Sequence, residues 1–134
     1  MEITNLLIYN GPDGQVEKKP DNVFIKEILR KEPEYWAKGS GDSSLQFENN
    51  NEMLVFFKDK TYGVFIMKHP DYLSLFDPEI KIETIFHSVG GEPMPVPSCC
   101  FVSIEKAEEI LLQYLNNQLD FEEWKDIYEI IDYE

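Results

Sequence analysis

Cysteine is nearly absent from this 134-residue chain, and the two present, Cys99 and Cys100, are neighbours. A disulfide between adjacent residues is sterically awkward, so there is no disulfide framework and both thiols are expected to be reduced. Histidine is equally scarce: His69 and His87 are the only two, and they do not form a metal-ligand pair at helical spacing. Basic side chains number 12 against 26 acids, for a formal charge of −14. A field of that sign repels phosphate backbones and anionic lipid, which argues against direct nucleic-acid or membrane-surface binding and favours a basic partner. The amino terminus, MEITNLLIYNG, has an acid at position 2 and an apolar run far too short for a signal-peptide core or a membrane span, so the expectation is a cytoplasmic protein. Glycine-rich phosphate loops and nucleophile elbows are missing too.

What the chain does contain suits one soluble domain, 1–134. Apolar residues make up 43% and charged residues 28%, and a chain of this length buries roughly two-thirds of the surface it exposes when unfolded. The acids are unevenly placed. Residues 1–67 carry 11 acids and 8 bases, whereas residues 68–134 carry 15 acids and only 4 bases, so the C-terminal half is the acidic pole.

Residues Thr4 to Tyr9 read as a strand closed by a turn from Asn10 to Gly14. Asp21 is placed to cap a helix presenting Phe24, Ile25, Ile28 and Leu29, which must stop before Pro33. Tyr35 and Trp36 lie in a glycine-containing loop that packs them back on the core; an exposed Trp36 would instead be a binding anchor. Residues 45–67 hold consecutive antiparallel strands, with turns at Asn49 to Asn51 and at Lys58 to Thr61, and Gly63 marks a bulge or a close backbone approach. His69 to Pro78 is a proline-bounded excursion carrying Tyr72, Leu73, Leu75 and Phe76, either folded over the core or exposed to a partner. In residues 80–87, Ile80, Ile82, Thr84 and Phe86 alternate with Lys81, Glu83, Ile85 and His87, the period of a half-buried strand.

Pro93, Pro95 and Pro97 alternate with Met94 and Val96, which suits an edge strand or a polyproline-like segment. A short apolar strand, Cys99 to Val102, then leads to Ser103, the cap of a helix whose apolar positions are Ile104, Ala107, Ile110, Leu111, Tyr114 and Leu115. Asp120 and Glu123 have capping-box spacing and are expected to open a second helix with Phe121, Trp124, Ile127, Tyr128 and Ile131 inward. Its solvent side carries Glu122, Glu123, Asp126, Glu129 and Asp132 against Lys125 alone. Acids near the C-terminal end of a helix oppose its dipole, so Glu129, Asp132 and Glu134 have no evident local role.

The order of Gly90, Pro97, Val102, Ser103, Ala107, Leu111, Tyr114 and Trp124 resembles the ending of the family-one immunity proteins of bacterial polymorphic toxin systems. The likeness covers the last third of the chain. It departs where Asn116, Asn117 and Gln118 replace a small residue before the tryptophan and where a proline near the second helix is missing. The resemblance implies a small protein that binds and occludes a cognate toxin domain, often a nucleic-acid-targeting deaminase or nuclease. It brings no catalytic residues and no cofactor.

The resulting expectation is an α+β domain: an antiparallel sheet of about five to six strands, one helix between the first and second strands, and two C-terminal helices packed on the sheet. The expected contact residues are Glu122, Glu123, Asp126 and Glu129, joined by Asp77 and Glu79. The alternative is a small-molecule or peptide-binding domain with an aromatic pocket around Trp36, Tyr72 and Phe76. Catalysis would need Cys99 or Cys100 paired with His87, although thiols in an apolar strand are usually inert, and zinc on the same set would need vicinal thiolates.

Overall fold

The computed structural model describes residues 7–12, 16–18, 21–47, 52–69, 71–77, 79, 83–89, 91–116 and 118–131. The chain is α+β, built on one antiparallel sheet. Strands β1 (Leu7–Asn10) and β2 (Val16–Lys18) precede helix α1 (Asn22–Leu29), followed by β3 (Ser43–Phe47), β4 (Met53–Asp59) and β5 (Gly63–His69). Short strands β6 (Leu73–Ser74), β9 (Phe101–Val102) and β10 (Lys125–Asp126) finish the sheet, whose order is β10-β6-β5-β4-β3-β1-β2 with β9 also paired to β5. Strands β7 (Thr84–Val89) and β8 (Glu92–Pro97) form a separate two-stranded ribbon. Helix α2 (Ile104–Leu115) and the short helix α3 (Ile127–Ile131) lie near the C-terminal end. Helix α1 thus falls between the second and third strands, because β2 pairs back on β1 before the helix begins. Residues 4–6, the turn residues Asp13 and Gly14, and Asn49 to Asn51 lie outside the described residues.

The centre of the sheet is buried on both faces. Leu54 to Phe57 in β4 and Val64 to Met67 in β5 are all buried, the continuous apolar run of strands covered on each side. Register separates the faces: Leu54, Phe56, Val64 and Ile66 point one way, and Met53, Val55, Phe57, Phe65 and Met67 the other.

The first face receives the two long helices. Asp21 caps α1 by accepting the Phe24 N–H at 2.8 Å, and Ser103 caps α2 by accepting the Lys106 N–H at 3.1 Å. Ile25, Ile28 and Leu29 of α1 and Ala107, Ile110, Leu111 and Tyr114 of α2 are buried, and Glu108 of α2 lies 3.9 Å from Lys26 and 3.7 Å from Arg30. At the far end of α1 the Lys58 ammonium donates to the carbonyls of Leu29 and Lys31, a cation where the helix dipole favours one. Trp36, within the 3₁₀ turn Pro33–Ala37, is completely buried and donates to the Ser43 hydroxyl at 3.0 Å, so it is a core residue.

The β7–β8 ribbon covers the second face. His87 stacks on Phe57 with ring centroids 3.7 Å apart and planes 8° from parallel, and its Nε2 donates to the Gly41 carbonyl at 2.7 Å. The inward residues of β7 are therefore Ile85, His87 and Val89, and Phe86 is 69% exposed. That reverses the expected phase, in which Phe86 was grouped with Thr84 against Ile85 and His87; Ile80 to Ile82 are outside the described residues. Pro93, Pro95 and Pro97 pair with Ser88, Phe86 and Thr84. Lacking an N–H, they occupy alternate positions and leave the ladder to Met94 and Val96. The apolar segment after β8 is a 3₁₀ turn, Ser98–Cys100, before β9 begins.

The last segment departs furthest from expectation. The Asp120 carboxylate accepts the Glu122 N–H at 2.9 Å in a local turn, and no capping box starts a helix there. Trp124 is buried against Phe121, Lys125 and Asp126 pair with Ser74 and Leu73, and only then does α3 begin. The unpaired edge of β6 captures two residues that a continuous helix would have used.

Candidate functional site

The acids expected on one helix face are distributed over three kinds of structure. Glu122 and Glu123 sit in the turn before β10, Asp126 lies in β10, and Glu129 lies on α3. Glu122, Glu123 and Glu129 are exposed, as are Asp77 and Glu79 beyond β6. Because β6 and β10 run antiparallel, with Ser74 opposite Lys125, the segment following β6 and the segment preceding β10 leave the same end of the pair. Asp77, Glu79, Glu122 and Glu123 therefore belong to that end. Asp126 is different: half-buried, its carboxylate accepts the Tyr128 N–H at 2.8 Å and caps α3. Asp77 binds the Glu79 N–H at 3.0 Å.

Among the described residues, ion pairs use other carboxylates. Lys68, whose side chain is only 13% exposed, holds Glu52 and Asp71, the latter at 2.7 Å. Burial works against the Lys68 charge, but hydrogen bonds to Asp71 and Glu52 and the attraction of both carboxylates outweigh it, and the pKa is raised. Its ammonium also lies 5.2 Å from the Phe121 ring centre and so helps to seat the segment that carries Glu122 and Glu123. Lys125 is exposed and lies 5.3 Å from the centre of the Phe76 ring. Glu122, Glu123, Glu129, Asp77 and Glu79 form no ion pair among the described residues.

The three aromatics expected to share a pocket are separated. Trp36 is sealed in the core, and Phe76 borders an open recess of about 470 Å³ with Leu75, Asp77 and Cys99. Tyr72 lines another recess, of about 400 Å³, between the second face of the sheet and the ribbon. Its floor is Met53, Val55 and Met67 from the sheet with Met94 from β8. Tyr72 and Tyr128 meet edge to face at 5.4 Å on its wall, His69 adjoins Tyr72 at 5.8 Å, and Asp42 and Glu92 bring carboxylates to it. Among the described residues, no lysine or arginine lines it. Tyr72 is also the one non-glycine residue with positive φ among those described, at 59°. Sequence reasoning missed this recess because its residues come from separate segments; the only local sign was the period-two placement of Met53 with Val55 and of Met67 with His69.

Cys99 and Cys100 are both buried, and burial raises the pKa of each thiol, that of Cys100 most. Such groups stay protonated at neutral pH and are poor nucleophiles. The Nε2 proton of His87 is committed to the Gly41 carbonyl. No group of three or more His, Cys, Asp or Glu able to hold a metal ion occurs among the described residues, and none of their helices is long and apolar enough to cross a membrane. Compared with known proteins, the chain matches no protein-family profile and no curated sequence, so a functional reading has to rest on its own residues.

Proposed function

We propose that this protein is an immunity protein that neutralises a cognate bacterial toxin domain by binding and occluding it through its acidic surface. The observation that carries the reading is the set of exposed carboxylates, Glu122, Glu123, Glu129, Asp77 and Glu79, none of which has an ion-pair partner among the described residues. Local structure accounts for Asp126, Glu52 and Asp71, and in part for Asp77, which accepts the Glu79 N–H, but leaves Glu122, Glu123, Glu129 and Glu79 unexplained. With a net charge of −14, they suit a basic surface such as the substrate cleft of an enzyme acting on nucleic acid. Complementary charge of this kind accelerates encounter and selects the partner. The sequence likeness from Gly90 to Trp124 supports the same reading.

The test is genetic. The gene immediately upstream should encode a secreted multidomain protein with a toxic C-terminal domain, and co-expression of this chain should restore growth. Continued toxicity in the presence of soluble, folded chain would refute the proposal. A second reading, a domain that binds a small ligand, is favoured by the recess at Tyr72, whose volume of about 400 Å³ is that of a small-molecule site.

A further inference from the structure

We infer that the recess at Tyr72 binds an uncharged, flat aromatic molecule of one or two fused rings; this names the ligand class for the small-ligand reading above and rests on it. An apolar cavity of about 150 Å³ accommodates benzene, so a recess of about 400 Å³ takes two fused rings with a substituent. Two opposed sides of the recess are apolar. Met53, Val55 and Met67 come from the sheet, and Val89, Pro93 and Met94 come from the ribbon packed over it. A flat ring between two such layers makes close contact through both faces, whereas a puckered ring of the same size touches them unevenly.

The surrounding side chains favour an aromatic occupant over an aliphatic one. Three of the four methionines in the chain converge here, and thioether sulfur packs favourably against aromatic rings. The remaining wall is itself aromatic. Tyr72 and Tyr128 meet edge to face at 5.4 Å, His69 adjoins Tyr72 at 5.8 Å, and a further ring continues that edge-to-face pattern. Tyr128 is 43% exposed, so the wall can be reached from solvent.

The charges favour a neutral molecule. Asp42 is already engaged within the fold, and Glu92 is exposed, so its attraction for a cation is screened by water. An anion would enter against the −14 charge of the chain. His69 and the hydroxyls of Tyr72 and Tyr128 have no hydrogen-bond partner among the described residues, which leaves them able to meet a ring hydroxyl or ring N–H. The backbone holds this wall at a cost. Tyr72 has a φ of 59°, a region that side chains with a Cβ rarely adopt, and its carbonyl accepts the Ile127 N–H at 2.9 Å. Strain of this kind clusters at ligand sites, where the surrounding structure fixes it.

The test is a titration of the full chain labelled with ¹³C at its methionine methyls, using β-naphthol, its saturated counterpart decahydro-β-naphthol and the anion β-naphthoate. β-Naphthol should shift the Met53, Met67 and Met94 resonances saturably and bind about tenfold more tightly than the saturated compound, although the latter has the larger apolar surface and would win on burial alone. β-Naphthoate should bind about tenfold more weakly than β-naphthol. Tyr128→Leu, at an exposed position, should weaken β-naphthol by about three- to tenfold and leave the saturated compound unchanged, and Tyr128→Phe, which keeps the ring, should bind β-naphthol within about twofold of the native chain. Equal or tighter binding of the saturated compound, equal binding of the anion, or indifference to Tyr128→Leu would overturn the assignment of a neutral aromatic and leave a small-ligand site in place. No saturable shift from any of the three probes would overturn the site and the small-ligand reading together. The neutralisation experiment is independent of each of these results.

Discussion

Tyr72 and Tyr128 meet edge to face at 5.4 Å, and the N–H of Ile127, beside Tyr128, donates to the Tyr72 carbonyl. The contact fixes the C-terminal segment against the sheet through a residue whose own backbone is strained, with a φ of 59°. Replacing Tyr72 with Gly or with Ala removes the ring equally, but only Gly relieves the backbone. Tyr72→Gly should therefore be more stable than Tyr72→Ala by about 1 kcal/mol, the opposite of their order in a helix. Urea denaturation of the two variants measures the difference, and an Ala variant equal to or above the Gly variant would contradict the strain argument.

Ser43 is a buried hydrogen-bonding hub. Its hydroxyl lies 2.7 Å from the Tyr9 hydroxyl and accepts the Trp36 indole N–H at 3.0 Å. Ser43→Ala leaves the indole donor buried without this acceptor, at an expected cost of about 1–3 kcal/mol. Tyr9→Phe removes the Tyr9 hydroxyl and its contacts but leaves the Ser43 hydroxyl bonded to the Trp36 indole, so it strands no buried N–H and should cost less than Ser43→Ala. Equal losses in the two variants would show that the indole bond contributes nothing.

Gly63 has a φ of +107°, and a Cβ added there would lie 2.5 Å from the Val102 carbonyl oxygen. That oxygen belongs to the strand paired with β5, which cannot move without opening the sheet. Gly63→Ala should lose about 2–3 kcal/mol of stability. A loss confined to a few tenths in chemical denaturation would rule out the close approach.

Alkaline pH should unfold the protein progressively. Burial raises the thiol of Cys100 above the ordinary value of 9.0, so the unfolded chain gives up this proton first as pH rises. Stability is therefore complete below the unfolded pKa and declines above it, by up to about 1.4 kcal/mol per pH unit from Cys100. Tyr114, pushed up to about 12 by burial, acts in the same sense above 10.0, and Lys68 loses its ion-paired stabilisation as pH passes its raised value. Denaturation midpoints from about pH 8 to about pH 10.5 should fall, and Cys100→Ala should flatten the fall. A slope unchanged by that substitution would mean Cys100 is not the titrating group.

The sequence made legible those elements whose determinants are local. Asp21 and Ser103 announced the starts of α1 and α2, Gly63 announced a close approach, and the density of apolar residues in β4 and β5 announced a central hairpin. Trp36 was read as core because its loop offered glycines to turn it inward. The last helix is present but starts later than the helical spacing of Phe121, Trp124, Ile127, Tyr128 and Ile131 predicts, because the competing partner, the edge of β6, lies far away in sequence. The phase of β7 was misread because it depends on the stacking of His87 on Phe57 and on the alternating prolines of β8. The exposed acids were evident from composition alone. The recess at Tyr72 was not, because β4, β5, the Tyr72 turn, β8 and α3 meet only in the folded chain.

Under the proposed function, the exposed carboxylates of the C-terminal segment bind a basic toxin domain. The most direct measurement is the affinity of this chain for the toxic domain encoded beside it, at low and high ionic strength, compared with a variant carrying Glu122→Lys, Glu123→Lys and Glu129→Lys. Asp126 is left unchanged because its carboxylate caps α3. The account predicts that binding by the native chain weakens as salt rises, and that the variant binds about tenfold or more weakly at low salt with a flatter salt dependence. Equal affinity and equal salt dependence in the two proteins would contradict it.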